Sequence, residues 1–336
     1  MSVTSQTLRQ FLLSEQAKNH LTRDMVLLIE DIATSCRGIA HQIRNGAFLN
    51  ILGATETSNV QGETQKQLDI IANDFFLGHC PNCSRVAALV SEEIDDVIWI
   101  KDEPKAGDYI VYFDPLDGSS NLDVNLSVGS IFSIIELQED ITDITNEAVL
   151  FRGAKQICAG YSLYGPSTSL ILTTGYGVNG FTHKIGTGEF HLTFADMQVP
   201  EETSEFAINA SRSKNWDTVI TRYVDECLAG QEGPRGRDFN MRWTASMVAE
   251  VHRILIRGGI FMYPKDSANA GMGGKLRLLY EANPMGMIIE QAGGRASTGT
   301  ERILDVQPTS HHQRISVILG SAAEVERIED YYSDDV

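Results

Sequence analysis

Three short segments of this chain are apolar at nearly every position: residues 86–90 (VAALV), 109–113 (YIVYF) and 130–137 (SIFSIIEL). A strand with one face in water alternates apolar and polar side chains, whereas an unbroken apolar run must be covered on both faces. The chain has helices to do the covering. Over residues 24–46, Leu28, Ile32, Cys36, Ile39 and Ile43 recur at spacings of three and four. This predicts an amphipathic helix that starts at an Asp24 N-cap and stops at Asn45-Gly46. Residues 47–63 are small and turn-forming and read as a loop. A second helix follows, with Leu68, Ile71 and Phe75 on its buried stripe. Residues 150–195, rich in Gly, Thr, Ser and Tyr, read as antiparallel sheet. The texture shifts at Pro200-Glu201-Glu202, where we place a domain boundary, giving domains 1–198 and 199–336. Beyond it we expect a helix (244–257), a strand (259–263), a polar Gly-rich loop (265–274) and a last helix with Asn283 as N-cap and Pro284 at its first position. Both domains mix helix and sheet, which predicts a layered α/β architecture.

Composition narrows the function. The 336 residues are enough for two domains with real cores. The longest aliphatic run near the N-terminus, residues 25–29, is far short of the ~20 residues a membrane span needs. No basic stretch leads into an apolar one, so we expect no secretory signal and a cytoplasmic protein. Five cysteines are an odd number and point to reduced thiols. The 27 Lys+Arg against 45 Asp+Glu leave a net charge of −18, which repels nucleic-acid backbones. An acidic chain that handled anionic substrates would need metal cations or focused basic groups.

Two of the apolar runs end in acid. Residues 86–90 open into Ser91-Glu92-Glu93, and residues 109–113 into Asp114-Pro115-Leu116-Asp117-Gly118-Ser119-Ser120-Asn121. Ligands of α/β sheets gather at the carboxyl ends of strands, so these acids can share one pocket. Clustered carboxylates repel one another unless a cation lies between them, and Mg²⁺ takes carboxylate and carbonyl oxygens. Asp114 and Asp117 are spaced to approach a metal from either side of a turn that Pro115 stiffens, with the Leu116 carbonyl between them. Gly118 permits close backbone approach, and the amides of Gly118, Ser119 and Ser120 can form an anion nest. A surface turn would explain Asp-Pro-x-Asp-Gly alone, but not its place between two buried strands. Glu92-Glu93 gains weight for the same reason.

These segments resemble the class I fructose-1,6-bisphosphatases over nearly the whole chain. The marks are Asn59-Val60-Gln61-Gly62-Glu63 with Leu68-Asp69, Ser91-Glu92-Glu93 and DPLDGSSN at 114–121. They continue with SMVAEVHR at 246–253, GGIFMYP at 258–264 and KLRLLYEANP at 275–284. The resemblance implies a layered α-β-α-β-α sandwich of the sugar phosphatase type and Mg²⁺-dependent hydrolysis of fructose 1,6-bisphosphate at the 1-phosphate, with Mn²⁺ a substitute. It implies metal ligation by Glu92, Asp114, Asp117, Glu281 and the Leu116 carbonyl, with Glu63 joining when its loop closes. Glu93, helped by Asp69, would orient and deprotonate the attacking water. Lys275 and Arg277 would contact phosphate or sugar hydroxyls, with Tyr263 and Asn209 at the distal 6-phosphate. Arg242 would reach a neighbouring subunit's site, which implies a homo-oligomer, in this family usually a tetramer. Activity on sedoheptulose 1,7-bisphosphate, or a silent sensor of sugar phosphates, are the competing readings; the intact acid set argues against silence.

The chain departs from the family at several points. Trp243 stands where many relatives have tyrosine and can donate only an indole N–H. Ala210-Ser211-Arg212 follows Asn209 in place of Glu-Gly-Tyr/Asn, and Arg212 is a candidate compensating contact to the 6-phosphate. Asp108 stands before Tyr109 where AMP-sensitive relatives have lysine, which predicts weak or absent AMP inhibition. The lone Cys80-Pro81-Asn82-Cys83 lacks the partners of a zinc site and reads as incidental loop cysteines. Lys275 is followed by Leu276, which rejects a Walker nucleotide loop at 271–275. His252 reads as a packed histidine, and Met247, Val251 and Ile254 as helix core.

Overall fold

The computed structural model describes residues 6–49, 51, 54–58 and 64–334. The chain begins with α1 (Leu8–Ala17), α2 (Arg23–Leu49), the antiparallel pair β1 (Ala54–Ser58) and β2 (Thr64–Lys66), and α3 (Gln67–His79). It then enters β3 (Val86–Ser91), β4 (Ile98–Trp99), β5 (Tyr109–Asp117), β6 (Val128–Glu136), β7 (Gln156–Tyr164), β8 (Thr168–Thr173), β9 (Val178–Lys184) and β10 (Glu189–Phe194). These eight form one sheet in the order β10-β9-β8-β7-β6-β5-β3-β4. After β11 (Glu205–Ile208) come α4 (Thr218–Leu228), β12 (Asn240–Met241), α5 (Met247–Arg257), β13 (Ile260–Tyr263) and β14 (Leu276–Arg277). The chain ends with α6 (Asn283–Gln291), β15 (Arg295–Ser297), β16 (Arg314–Ile315), β17 (Val317–Gly320) and α7 (Ala322–Asp334). A second sheet runs β12-β11-β13-β17-β15, and β14 pairs with β16.

The apolar runs are buried on both faces, as their composition requires. Val111 and Phe113 of β5, with Phe132 and Ile134 of β6, pack under α1, α2 and α3 in one core. Ile131, Tyr161 and Ile171 on the opposite face meet α5 and α6 through Val251, Ile254, Met285 and Ile288. The same middle layer is closed from the far side by Ala207, Phe261, Val317 and Leu319 of the second sheet. The alternate residues Phe206, Ile208, Ile260, Met262 and Ile318 face out to α4 and α7. The result is five layers, helix-sheet-helix-sheet-helix, in two mixed α/β domains. Among the described residues no helix is long and apolar enough to cross a membrane.

Local departures have local causes. The Thr22 hydroxyl, not Asp24, caps α2, accepting from the Met25 N–H at 3.1 Å, while Asp24 sits in the first turn. The helix continues through Asn45-Gly46 to Leu49, with the Asn45 side-chain amide turned back to the His41 carbonyl at 2.8 Å instead of capping the end. Part of the expected loop 47–63 is thus helix and part is β1; residues 59–63, with Glu63, lie outside the described residues. The helix after Thr244 starts at Met247, capped by the Ser246 hydroxyl. Asn283 does not cap α6 either: a π turn over Leu278–Ala282 runs directly into it, with the Asn283 N–H bonded to the Leu278 carbonyl. Pro284 has no N–H to give a carbonyl four residues back, and the wider turn precedes it. Cys80 and Cys83 are buried in the first core rather than loop-exposed, and all five thiols are free.

Phe76 of α3 is fully buried and stacks on Phe113 of β5, with ring centroids 4.6 Å apart and planes 9° from parallel. Phe76→Ala is expected to cost about 3–5 kcal/mol. The check is a lowered urea midpoint for the transition that unfolds the first sheet.

Candidate active site

Sheet pairing assembles the acids. β3 and β5 are parallel neighbours, with Ser91 opposite Phe113, so both strands deliver their acidic exits to the same edge. Along a regular strand, residues three apart face opposite ways. Between Asp114 and Asp117, however, β5 carries one residue more than its partner β6: Asp114 pairs with Ile131 and Asp117 with Gly129. That bulge turns both aspartates to one side. The third acid, Glu281, arrives on the π turn before α6. Carboxylate oxygens of Asp114, Asp117 and Glu281 all lie within 4.8 Å of one another, and all three residues are buried.

Each acid is held by donors from a different element. Asp117 accepts the Ser246 hydroxyl at 2.7 Å and the Val248 N–H at 3.0 Å, which places it at the N-terminus of α5. Asp114 accepts the Leu116 N–H at 2.9 Å, and Glu281 accepts the Arg277 N–H. Arg277, itself buried, brings its guanidinium within 3.6 Å of Glu92. Gly118 follows with φ +74, and a Cβ there would stand 2.9 Å from that of Ser246, so only glycine fits between the β5 bulge and α5.

Burial, with Glu92, Asp117, Glu281 and Glu93 around it, holds the Asp114 carboxyl well above its usual range. Burial likewise raises Glu281, with Glu92 adding to the effect. Asp117 is raised to about 6, burial outweighing the donors from α5. Three buried, mutually repelling carboxylates made only of hard oxygen fit a Mg²⁺-type cation and suit no soft metal.

The cluster forms the floor of a cleft of about 430 Å³. Its walls bring together Asp69, Glu92, Glu93, Leu116, Gly118, Ser119, Ser120, Asn209, Tyr263, Lys275 and Arg277, residues scattered over more than 200 positions of sequence. Asp69 accepts the Lys66 N–H at 2.7 Å, and the Glu93 N–H donates to the Ser91 hydroxyl at 3.2 Å. Two candidates do not line it. Arg242 is exposed on the far side of β12, 3.7 Å from Glu205. Arg212 is committed to Asp266 through two bonds of 2.7 and 2.6 Å, rather than turned to the cleft as a phosphate contact.

The cleft also holds residues that the sequence did not single out. Lys66 enters it half a turn before α3, its ammonium 2.6 Å from Asp123. Ser246 was legible as an N-cap, one serine ahead of an apolar helical stripe. Ala245 has φ +56, a left-handed conformation that costs a non-glycine residue energy and marks a constrained position. The segment is pinned by buried Glu250, which accepts the Thr244 N–H and hydroxyl at 2.7 and 3.0 Å. Trp243 stacks on Phe261, with centroids 6.1 Å apart, and leans on Tyr263. His252 is a packed histidine as expected, bonded to the Tyr161 hydroxyl and lowered by burial to about 4.

A sandwich fold with an acid-floored cleft can host more than one chemistry, and comparison with known proteins places this one among the phosphoric monoester hydrolases. The family model described as "Fructose-1-6-bisphosphatase, N-terminal domain" matches residues 6–195, and its C-terminal counterpart matches residues 199–333. The holo crystal structure of Leishmania major fructose-1,6-bisphosphatase is 37% identical, with a TM-score of 0.91 over 98% of this chain and 99% of that one. The apo structure of that enzyme is 36% identical with a TM-score of 0.85, over 98% and 100%. The chain belongs to the fructose-1,6-bisphosphatase family.

An acid whose folded pKa is raised favours the folded state only while protonated, so its contribution is lost as pH rises through the folded value. For Asp117 that window runs from about 4 to about 6. In EDTA, the protein should therefore lose more thermal stability between about pH 4 and pH 6 than its Asp117→Asn variant. Added Mg²⁺ should abolish the difference, and its affinity should fall below about pH 6 as protons compete.

Proposed function

We propose that this enzyme hydrolyses the 1-phosphate of D-fructose 1,6-bisphosphate to fructose 6-phosphate and phosphate, using Mg²⁺, with Mn²⁺ as a substitute. The observation that carries the reading is the meeting of Asp114, Asp117 and Glu281 on the floor of a cleft otherwise lined by Asn209, Tyr263, Lys275 and Arg277. We assign metal ligation to Glu92, Asp114, Asp117, Glu281 and the Leu116 carbonyl, with Glu63 as a further ligand. Bound there, divalent cations neutralise the phosphoryl oxygens and the departing alkoxide.

The chain's own residues do the rest. Glu93 takes the proton of the attacking water, and Asp69, fixed by the Lys66 N–H, orients that water beside it. The Gly118, Ser119 and Ser120 amides donate to the phosphate under attack. Lys275 and Arg277 hold phosphate and sugar oxygens, and Asn209 and Tyr263 hold the distal phosphate. These few cations focus positive potential inside a chain of net charge −18. Arg242, exposed just beyond the edge strand β12, serves the site of a neighbouring subunit in a homotetramer. We place the enzyme in the cytoplasm, in gluconeogenesis or a related carbon-fixation route. The division into 1–198 and 199–336 is likewise our reading, supported by the passage from one sheet to the next between Phe194 and Glu205.

Glu93→Gln should lower kcat by roughly 10²–10⁴-fold with little change in KM. Phosphate release from fructose 1,6-bisphosphate with and without Mg²⁺ measures this, and a variant as fast as the parent overturns the assignment of the base. AMP at millimolar concentration should inhibit weakly or not at all. Asp108 lies buried against Lys101 at 2.7 Å and offers a nucleotide phosphate no cation.

A further inference from the structure

Asn209 and Tyr263, which line the cleft, stand where two loops leave the neighbouring parallel strands β11 and β13. One follows β11 and carries Asn209 at the head of the short turn Ala210–Asn215. The other runs from Tyr263 of β13 to Lys275, just before β14, and is rich in glycine and small residues. Left to themselves, such segments spend much of their time away from any one geometry, and ordering them has an entropic cost.

One ion pair crosses between them. Arg212 presents its fork to Asp266, with Nε to Oδ2 at 2.7 Å and Nη2 to Oδ1 at 2.6 Å. The Asp266 side chain is only 2% exposed and also accepts the N–H groups of Ala268 and Asn269 at 2.9 and 3.1 Å. Its own N–H donates to the Asn269 side chain at 2.8 Å. A few residues on, the Ser267 N–H reaches the Asn215 carbonyl at 3.0 Å. Bidentate guanidinium–carboxylate pairs fix both distance and plane, and the pair here sits three residues after Asn209 and three after Tyr263.

We propose that Arg212 and Asp266 form a clasp that locks the two loops together and so positions Asn209, Tyr263 and Lys275 for the phosphate that is not cleaved. Arg212 and Asp266 are thus positioning residues, which set the affinity for a bisphosphate without touching it. The inference rests on the proposed substrate reading.

Arg212→Ala, Asp266→Asn, the double variant and Arg212→Lys, assayed on fructose 1,6-bisphosphate with Mg²⁺, test it. A clasp predicts that either single variant raises KM by roughly tenfold while kcat stays within about twofold, because a displaced positioning group is lost from binding more than from chemistry. The double variant should be no worse than either single, since both remove one interaction. Arg212→Lys, which keeps the charge and loses the fork, should fall between parent and Arg212→Ala. A raised KM in Arg212→Ala with an unchanged KM in Asp266→Asn overturns the clasp in favour of direct contact by Arg212, and parental KM values in both singles overturn it outright. A wild-type enzyme that releases no phosphate from this sugar would instead sink the substrate reading.

Discussion

The site depends on one pairing. Because β3 and β5 lie parallel and in register, their carboxyl ends stop at the same height, and four acids, Glu92, Glu93, Asp114 and Asp117, leave the sheet at one edge, where the π turn brings Glu281 to join them. An antiparallel pairing would send Glu92 and Glu93 to the opposite edge. The bulge in β5 completes the arrangement: without its extra residue, Asp114 and Asp117 would point to opposite faces, one into the core under α3 and one toward α5. The first sheet and its helices supply this geometry, and the rigidity of a sheet buried on both faces keeps it.

Such a cluster is costly by itself. Charges brought together out of water lose hydration and repel, and the raised pKa values of Asp114, Asp117 and Glu281 express that cost. The fold offsets part of it with donors from elsewhere: the α5 N-terminus at Asp117, and the Arg277 N–H at Glu281. The remainder is a standing demand for positive charge. On the proposed reading, a cation held by these acids would let a chain with a large excess of acid take an anionic substrate.

Much of this was legible in the sequence because the relevant signals are local. Unbroken apolar runs fixed the layers, acids at their ends fixed the edge where ligands gather, and Asp-Pro-Leu-Asp-Gly was readable as a turn built for oxygen ligands. What was not legible depends on contacts across the chain. The extension of α2 past Asn45-Gly46 to Leu49 runs against the stop that local propensity gives these two residues. The π turn at Leu278–Ala282 looks in sequence like an ordinary helix start at Asn283-Pro284. Lys66 in the cleft has no sequence signature at all, and Arg212 looked like a substrate ligand because Asp266, its partner, lies 54 residues away.

The two ends of the cleft are held by different physics. The acid end is set by strand register, which cannot slip by one residue without turning a buried face outward, so it is fixed as firmly as the core. The distal end is set by loops, glycines and a single fork of charge, and its geometry can change without disturbing any layer. On the proposed assignment, the phosphate under attack would meet a rigid surface, and discrimination among sugars of different length would fall to the part of the molecule that sequence can alter at least cost. Trp243 and the Ala210-Ser211-Arg212 turn, two of the points where this chain is expected from its sequence to depart from its family's pattern, lie in the cleft wall and directly after Asn209.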